Sequence, residues 1–294
     1  MAGPHLIHHS ASLDGGPPPN TLWALGECLR RGVDVVEVDV TPLADSEWLL
    51  SHDANLESFS TGRGPVAEIT TADSRAIYLV REGALTTLHP DLLSDALDLV
   101  ERLSARTLVQ LDLKAPAVLP PAALPGLASL VAPVREHVLV SSAADWCLRE
   151  LRRLAPWIRL GYDPSFSLDD RQNRLPGGGL APRRRSRFGY FDCLSDQEAA
   201  EAEAATTAEY LGLLYRSMFL RAAGSETWFV RGSVLLRAAA SLDLVEWLHR
   251  RGVAVAAWTI DPTGPAEVAA ARALAALGVD YLTTNRAEAL ATLL

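Results

Sequence analysis

The chain has 294 residues, 49% of them hydrophobic, and 36 acidic against 27 basic side chains give it a formal charge of -9. That size and apolar content allow a large buried core and exclude disorder throughout, while the acidity argues against a general nucleic-acid-binding surface but not against a local cationic pocket. Three cysteines, Cys28, Cys147 and Cys193, form no CxxC or metal-ligand cluster, and their odd number argues against a disulfide framework.

The opening MAGPHLIHHS has neither a basic leader nor a long apolar segment, and no later apolar run approaches the roughly 18 residues of a membrane span. The expectation is a cytoplasmic protein with no transmembrane segment. HLIH, residues 5–8, has the length of a short strand. After the loop SLDGGPPPN, a helix is predicted from Thr21 to Arg31 with Asn20 as its N-cap, and the glycine of RRG stops it. VDVVEVDV is a second strand, and ADSEWLLSHD supplies a turn and a short apolar stretch ending at His52 and Asp53. Beyond the loop ESFSTGRGPVAEIT and a helix at about 91–104, TLVQLDLK resumes the strand series. HVLVSS, IRLGYD, TWFVRG, VAVAAWTI and DYLTT continue it, with helical segments between most of them.

Eight or nine short strands rich in Val, Ile and Leu, alternating with helices, predict a parallel sheet closed as a (β/α)8 TIM barrel, one domain over residues 1–294. The cadence breaks between residues 171 and about 223. RQNRLPGGGLAPRRRSR, an acidic alanine-rich stretch and AEYLGLLYRSMFL read as an insertion in the C-terminal half with a basic loop and one or two helices. RRRSR is either a solvated loop neutralised by nearby acids or a contact for phosphate or a partner.

The run VVEVDVTP places Glu37 and Asp39 on one face of a strand, because side chains alternate with period two. Two ionised acids facing a core need a cation, a metal or strong donors. A divalent metal such as Mg²⁺ or Ca²⁺ is the simplest compensation at a barrel mouth, since carboxylate oxygens suit hard cations. Asp112 of QLDLK is a third candidate ligand, with Lys114 on its side of the strand. Spacing alone leaves salt bridges or solvent-exposed strand ends as the alternative. His8 and His52 stand near two strand ends and could supply a general base and a general acid.

These segments together resemble the glycerophosphodiester phosphodiesterase family. LIHHSAS is similar to the family's opening HRG motif, PPPNT to its ENT segment and VVEVDV to its E-x-D strand. SHDANLESFSTGRGPVAEIT is similar to its HD loop, QLDLK to its E-x-K strand, and VAVAAWTID and GVDYLTTNRAEAL to its last two strands. The resemblance implies a metal-dependent TIM barrel that hydrolyses phosphodiesters. It implies His8 and His52 as the acid/base pair, Glu37, Asp39 and Asp112 as ligands of Mg²⁺ or Ca²⁺, and Lys114 as a phosphate contact. Asp53 would order the His52 loop, and Trp258 would wall the substrate pocket or pack in the core.

Five positions depart from the family pattern. His9 stands where an arginine is expected, Ser10 where a glycine is, Pro19 where the ENT acid is, and Ser58 where a later arginine is. Asp112 replaces a glutamate. Neither serine nor neutral imidazole reproduces arginine's planar fork, so phosphate recognition is expected to change. His9 as a pocket residue and Arg63 of STGRG are the candidate replacements, and Phe59, Phe166 and Trp258 are candidates for an apolar subsite. The expected partner is a small phosphodiester or a lysolipid, with no nucleic acid. The alternatives are a noncatalytic barrel that binds a phosphorylated ligand or a protein, and a lysophospholipase D-like phosphodiesterase.

Overall fold

The structure, a computed structural model, describes residues 3–81, 83–103, 106–114, 118–168 and 206–294. Its strands are β1 (His5–His8), β2 (Val35–Pro42), β3 (Trp48–Leu50), β4 (Val80–Arg81), β5 (Ala84–Leu85), β6 (Leu108–Leu113), β7 (Val138–Ser142), β8 (Arg159–Tyr162), β9 (Thr227–Arg231), β10 (Ala254–Trp258) and β11 (Tyr281–Thr284). Eight of them run parallel in the order β1-β2-β6-β7-β8-β9-β10-β11, and β11 pairs back with β1, closing the expected barrel. β3 is the extra strand and runs antiparallel to β2.

Alternation sorts each barrel strand into an inner and an outer face. Ile7, Val35, Leu139, Phe229 and Ala256 pack together as a separate apolar cluster inside the barrel. Gly161 makes room for it, since a Cβ there would lie 2.4 Å from Phe229 Cε2. The outer faces, among them Val36, Val38, Val109, Leu111 and Val230, belong to the large core shared with the helices. Strands apolar on both faces are what made the series readable as parallel.

The first helix, α1 (Leu22–Arg31), buries Ala24, Leu25, Cys28 and Leu29 and ends at Gly32, whose φ of 64° is the left-handed conformation that glycine adopts freely. Its N-cap is Thr21, whose side chain accepts from the Ala24 N–H, and not Asn20 as expected. Asn20 has other partners, described below. The short α2 (Thr71–Ser74) lies in the excursion after β3, followed by α3 (Leu93–Leu103), α4 (Ala123–Val131) and α5 (Asp145–Leu154). The helix expected within AEYLGLLYRSMFL is α6 (Thr207–Arg221), opened by a reciprocal cap between Thr206 and Glu209. The basic loop and Cys193 lie outside the described residues. Cys28 and Cys147 are buried free thiols.

The excursion between β2 and α3 reads as loop in the sequence, yet it builds a small core of its own from Leu43, Leu49, Leu56, Val66 and Leu92. Its apolar residues follow neither helical nor strand spacing, so no period announced it. Among the described residues no helix is long and apolar enough to cross a membrane.

Candidate active site

Above the apolar plug, the inner face of β2 carries Glu37 and Asp39, 3% and 1% exposed. The β2–β6 register sets Asp39 beside Asp112 and Glu37 beside Gln110. Glu37, Asp39 and Asp112 thereby bring carboxylate oxygens within 4.8 Å of one another. Lys114 Nζ lies 2.9 Å from Asp39 Oδ1 and 2.5 Å from Asp112 Oδ2. The other Asp112 oxygen accepts from Ser141 Oγ at 2.7 Å, and Gln110 donates in turn to that hydroxyl.

The turn after β1 closes over this cluster. Ser10 donates its backbone N–H to Glu37 Oε2 at 2.6 Å and its hydroxyl to Asp39 Oδ2 at 3.0 Å. Asn20 clamps the Asp39 residue from outside, accepting its backbone N–H and donating to its carbonyl. Both Ser10 and Asn20 have left-handed backbone, with φ of 49° and 53°. Such values cost a non-glycine residue about 1–2 kcal/mol, and here four hydrogen bonds to β2 hold them.

The charges are unequal partners. Burial first, then the charges of Asp39 and Asp112, pushes the Glu37 carboxyl well above its ordinary range. Burial also opposes ionisation of Asp39, but Lys114, with His52 and His9, outweighs it and holds Asp39 below the usual range. Burial acts against the Lys114 charge as well, and Asp112, Asp39 and Glu37 overcome it, so the ammonium is held above its ordinary value. Asp163, just after β8 in the same cavity, is pushed up to about 7 by burial and by Asp112.

These residues fit a divalent cation. Three carboxylates face one ammonium, the donors are hard oxygens, and Asp39 Oδ1, buried, makes no hydrogen bond despite its charge contact with Lys114.

The cluster opens into a cavity of about 520 Å³ lined by His9, Glu37, His52, Asp112, Lys114, Asp163, Phe166 and Trp258 among others. An adjoining cavity of about 270 Å³ shares His9 and His52 and adds Asp39, Asp53, Phe59, Arg81 and Asp91. Trp258 walls the larger cavity, with its indole N–H bonded to the Phe229 carbonyl and the Arg231 guanidinium 4.3 Å above its ring. Phe166 lines the larger cavity and Phe59 the smaller, so the expected apolar trio is divided between them.

The expected histidines stand in different settings. His8 lines neither cavity; it is 8% exposed, and its Nδ1 bonds the Ser12 carbonyl. Ile7 is in the inner plug, so alternation turns His8 to the opposite side of β1, and the 3-10 turn that follows the strand brings His9 to the barrel mouth. His9 Nε2 is 4.0 Å from Glu37 Oε2, and its Nδ1 is 2.8 Å from Asn285 Oδ1. His52 is at the mouth as expected, with 66% of its side chain exposed and its Nδ1 3.4 Å from Asp53.

Arg63, the expected replacement for a missing arginine, is exposed and lines neither cavity. Among the described residues, Arg81, from the short β4, lines the smaller cavity, and its Nε is buried without a hydrogen-bond partner. No motif pointed to it. Asp163, Asp261 and Asn285 likewise carry no site motif of their own in the sequence.

A closed parallel barrel with an acidic cluster and two histidines around its mouth defines a class of (β/α)8 proteins equipped to hold a divalent cation beside proton-carrying groups. Residues 11–114 match the model of the Glycerophosphoryl diester phosphodiesterase family. Solved structures with the same fold include one from Silicibacter pomeroyi DSS-3 provisionally assigned as a glycerophosphoryl diester phosphodiesterase, at 21% identity and TM-score 0.67, covering 99% of this chain and 93% of that one. An Oleispira antarctica phosphodiesterase, solved with its product sn-glycerol-3-phosphate, matches at 18% identity and TM-score 0.63 over 99% and 96%. A glycerophosphodiester phosphodiesterase from Parabacteroides distasonis ATCC 8503 matches at 16% identity and TM-score 0.66 over the same shares. No curated protein matches the chain significantly. The family match covers residues 11–114, and likeness to the solved structures at these identities extends the shared fold over the rest of the chain.

Proposed function

We propose that the protein is a metal-dependent phosphodiesterase acting on a glycerophosphodiester or a related small phosphodiester, with His9 and His52 as its acid/base pair. The observation that carries this reading is the convergence of three carboxylates, Lys114 and these two imidazoles on one cleft. Glu37, Asp39 and Asp112 would hold Mg²⁺ or Ca²⁺. A divalent cation so held supplies Lewis-acid stabilisation of the charge that builds on phosphate oxygens.

The protein's own groups do the rest. Lys114 offsets phosphate charge from beside the acids. His9 Nε2, facing Glu37, accepts the proton of the attacking hydroxyl or water, and His52, exposed at the mouth, delivers one to the departing alkoxide. Asp53 orients His52 through the contact between their side chains. Trp258 and Phe166 offer apolar surface to the leaving alcohol, which brings lysolipids within the substrate class to be tried.

The test is hydrolysis of a panel of glycerophosphodiesters and lysophospholipids with and without added divalent cation. Turnover is expected to need the cation, to collapse in His9→Ala and Glu37→Gln, and to survive in a folded His8→Ala variant. Full turnover by His9→Ala would overturn the assignment of the pair.

A further inference from the structure

We infer that Asp261 and Asn285 are positioning residues that fix the tautomer of His9, keeping its hydrogen on Nδ1 and leaving Nε2 as the open acceptor toward the acidic cluster. The inference deepens the proposed function and takes its catalytic meaning from it. The geometry itself is independent of any substrate.

The argument follows donors and acceptors in one direction. β10, β11 and β1 are neighbours in the barrel, so the segments leaving their C-terminal ends stand side by side at the mouth. They carry Asp261, Asn285 and His9 respectively. Asp261 Oδ1 accepts from the Asn285 backbone N–H at 2.8 Å and from Thr284 Oγ1 at 3.0 Å. Its other oxygen lies 2.8 Å from Asn285 Nδ2. An ionised carboxylate only accepts, so the amide atom facing it has to be the nitrogen. The Asn285 oxygen is then turned to His9, 2.8 Å from Nδ1. A carbonyl oxygen also only accepts, so Nδ1 has to carry the hydrogen.

The competing arrangement would place the hydrogen on Nε2 for Glu37. That separation is 4.0 Å, beyond hydrogen-bond reach, against 2.8 Å to Asn285. The Nε2 lone pair is therefore left free at the cavity. A proton taken from an attacking O–H forms a new N–H bond at Nε2, its O–H bond breaks with the electron pair staying on oxygen, and the Nδ1–H···O bond is untouched. The resulting imidazolium is faced by the Asn285 oxygen, whose dipole is aligned by the Asp261 charge behind it. Partners behind a functional imidazole fix its orientation and tautomer in this way.

Asp261→Asn makes the sharpest test. The Asn285 backbone N–H still requires an oxygen, so the new amide turns its nitrogen toward the Asn285 side chain. Asn285 then has to flip, presenting its own nitrogen to His9 and requiring the opposite tautomer. The readout is a long-range ¹H–¹⁵N correlation spectrum of the labelled full chain, without added metal or substrate, at a pH where the imidazoles are neutral. The His9 signals are assigned by their loss in His9→Gln.

The wild type is expected to show a protonated-type Nδ1 and an unprotonated-type Nε2, Asp261→Asn the reverse, and Asn285→Leu no fixed preference. In turnover, Asp261→Asn is expected to lower kcat about 10–100-fold with KM little changed. A wild-type spectrum with the hydrogen on Nε2, or averaged between the nitrogens, overturns the inference whether or not the variants fold. A folded Asp261→Asn that keeps the wild-type tautomer also overturns it. A protein with the expected tautomer but no turnover on any phosphodiester would sink the proposed function and leave the positioning relay standing.

Discussion

Glu37→Gln isolates the electrostatics of the acidic cluster. The Glu37 carboxyl is 3% exposed and is pushed well above its ordinary 4.5 by burial, then by Asp39 and Asp112. In the cation-free protein the folded state keeps this proton at a pH where the unfolded chain has released it. The neutral carboxyl's contribution to stability is therefore whole below about pH 4.5 and is lost as pH rises through the folded value. The loss is about 1.4 kcal/mol per pH unit across that interval.

Glutamine cannot ionise and still offers an oxygen to the Ser10 N–H. The stability of the variant minus that of the wild type should thus climb as pH rises above 4.5, by about 1.4 kcal/mol per pH unit, and level off once the folded carboxyl has ionised. Asp39 acts with the opposite sign, adding stability above its ordinary value that is lost on acidification. It is present in both proteins and largely drops out of the difference. The assay is urea unfolding followed by tryptophan fluorescence at half-unit pH steps, first in chelator and then with Mg²⁺ or Ca²⁺, which should stabilise the wild type more than the variant. A difference that stays flat or falls over this pH range would refute the charge assignment.

At Ser10, with φ of 49°, Ser10→Gly sheds about 1–2 kcal/mol of backbone strain but loses the hydroxyl contact with Asp39, whereas Ser10→Ala loses the contact and keeps the strain. Urea unfolding should therefore find the alanine variant less stable than the glycine variant by about 1 kcal/mol. Lys114→Met leaves Asp39 and Asp112 without their ammonium and should destabilise the cation-free protein by about 3 kcal/mol, with added divalent cation raising its melting temperature more than that of the wild type. Gly161→Ala drives a methyl into the Phe229 ring and should cost about 1–3 kcal/mol in the same unfolding assay, with unchanged metal affinity. Arg81→Met keeps the side-chain stem and removes the charge, and calorimetric titration should show inorganic phosphate binding at least 10-fold more weakly, in line with the roughly 1.5–3 kcal/mol of a hydrogen bond to a charged group.

The barrel was legible because its strands are buried on both faces and leave uninterrupted runs of Val, Leu and Ile between polar turns. The acids were legible for the converse reason, since Glu37 and Asp39 break such a run at a spacing that keeps them on one side. His9 was harder. HLIHH offers His8 and His9 one residue apart, and only the register of Ile7 against Val35 decides which of the two shares the side of the acids. Arg81 had no local signal at all. It reaches the cleft through an excursion whose small core is assembled from apolar residues without a period, and tertiary packing alone brings it there.

The departures from the family pattern fall largely within one structural unit, the turn from β1 to α1, and there they are coupled. Left-handed backbone at Ser10 and Ala11 turns the chain so that the Ser10 N–H meets Glu37, and Asn20, left-handed as well, donates its N–H to the Ser10 carbonyl at 2.6 Å while its amide brackets Asp39. Glycine at position 10 would make this turn without strain and without a side chain. Serine makes it under strain and contributes a hydroxyl to Asp39, a carboxylate with one oxygen that no hydrogen bond satisfies. A glycine lost without consequence would leave the strain and return nothing to the site. Here the replacement binds one of the three acids, on the side of the cluster where His9 also stands, so the changed turn reads as a rebuilt edge of the cleft with the carboxylate geometry kept.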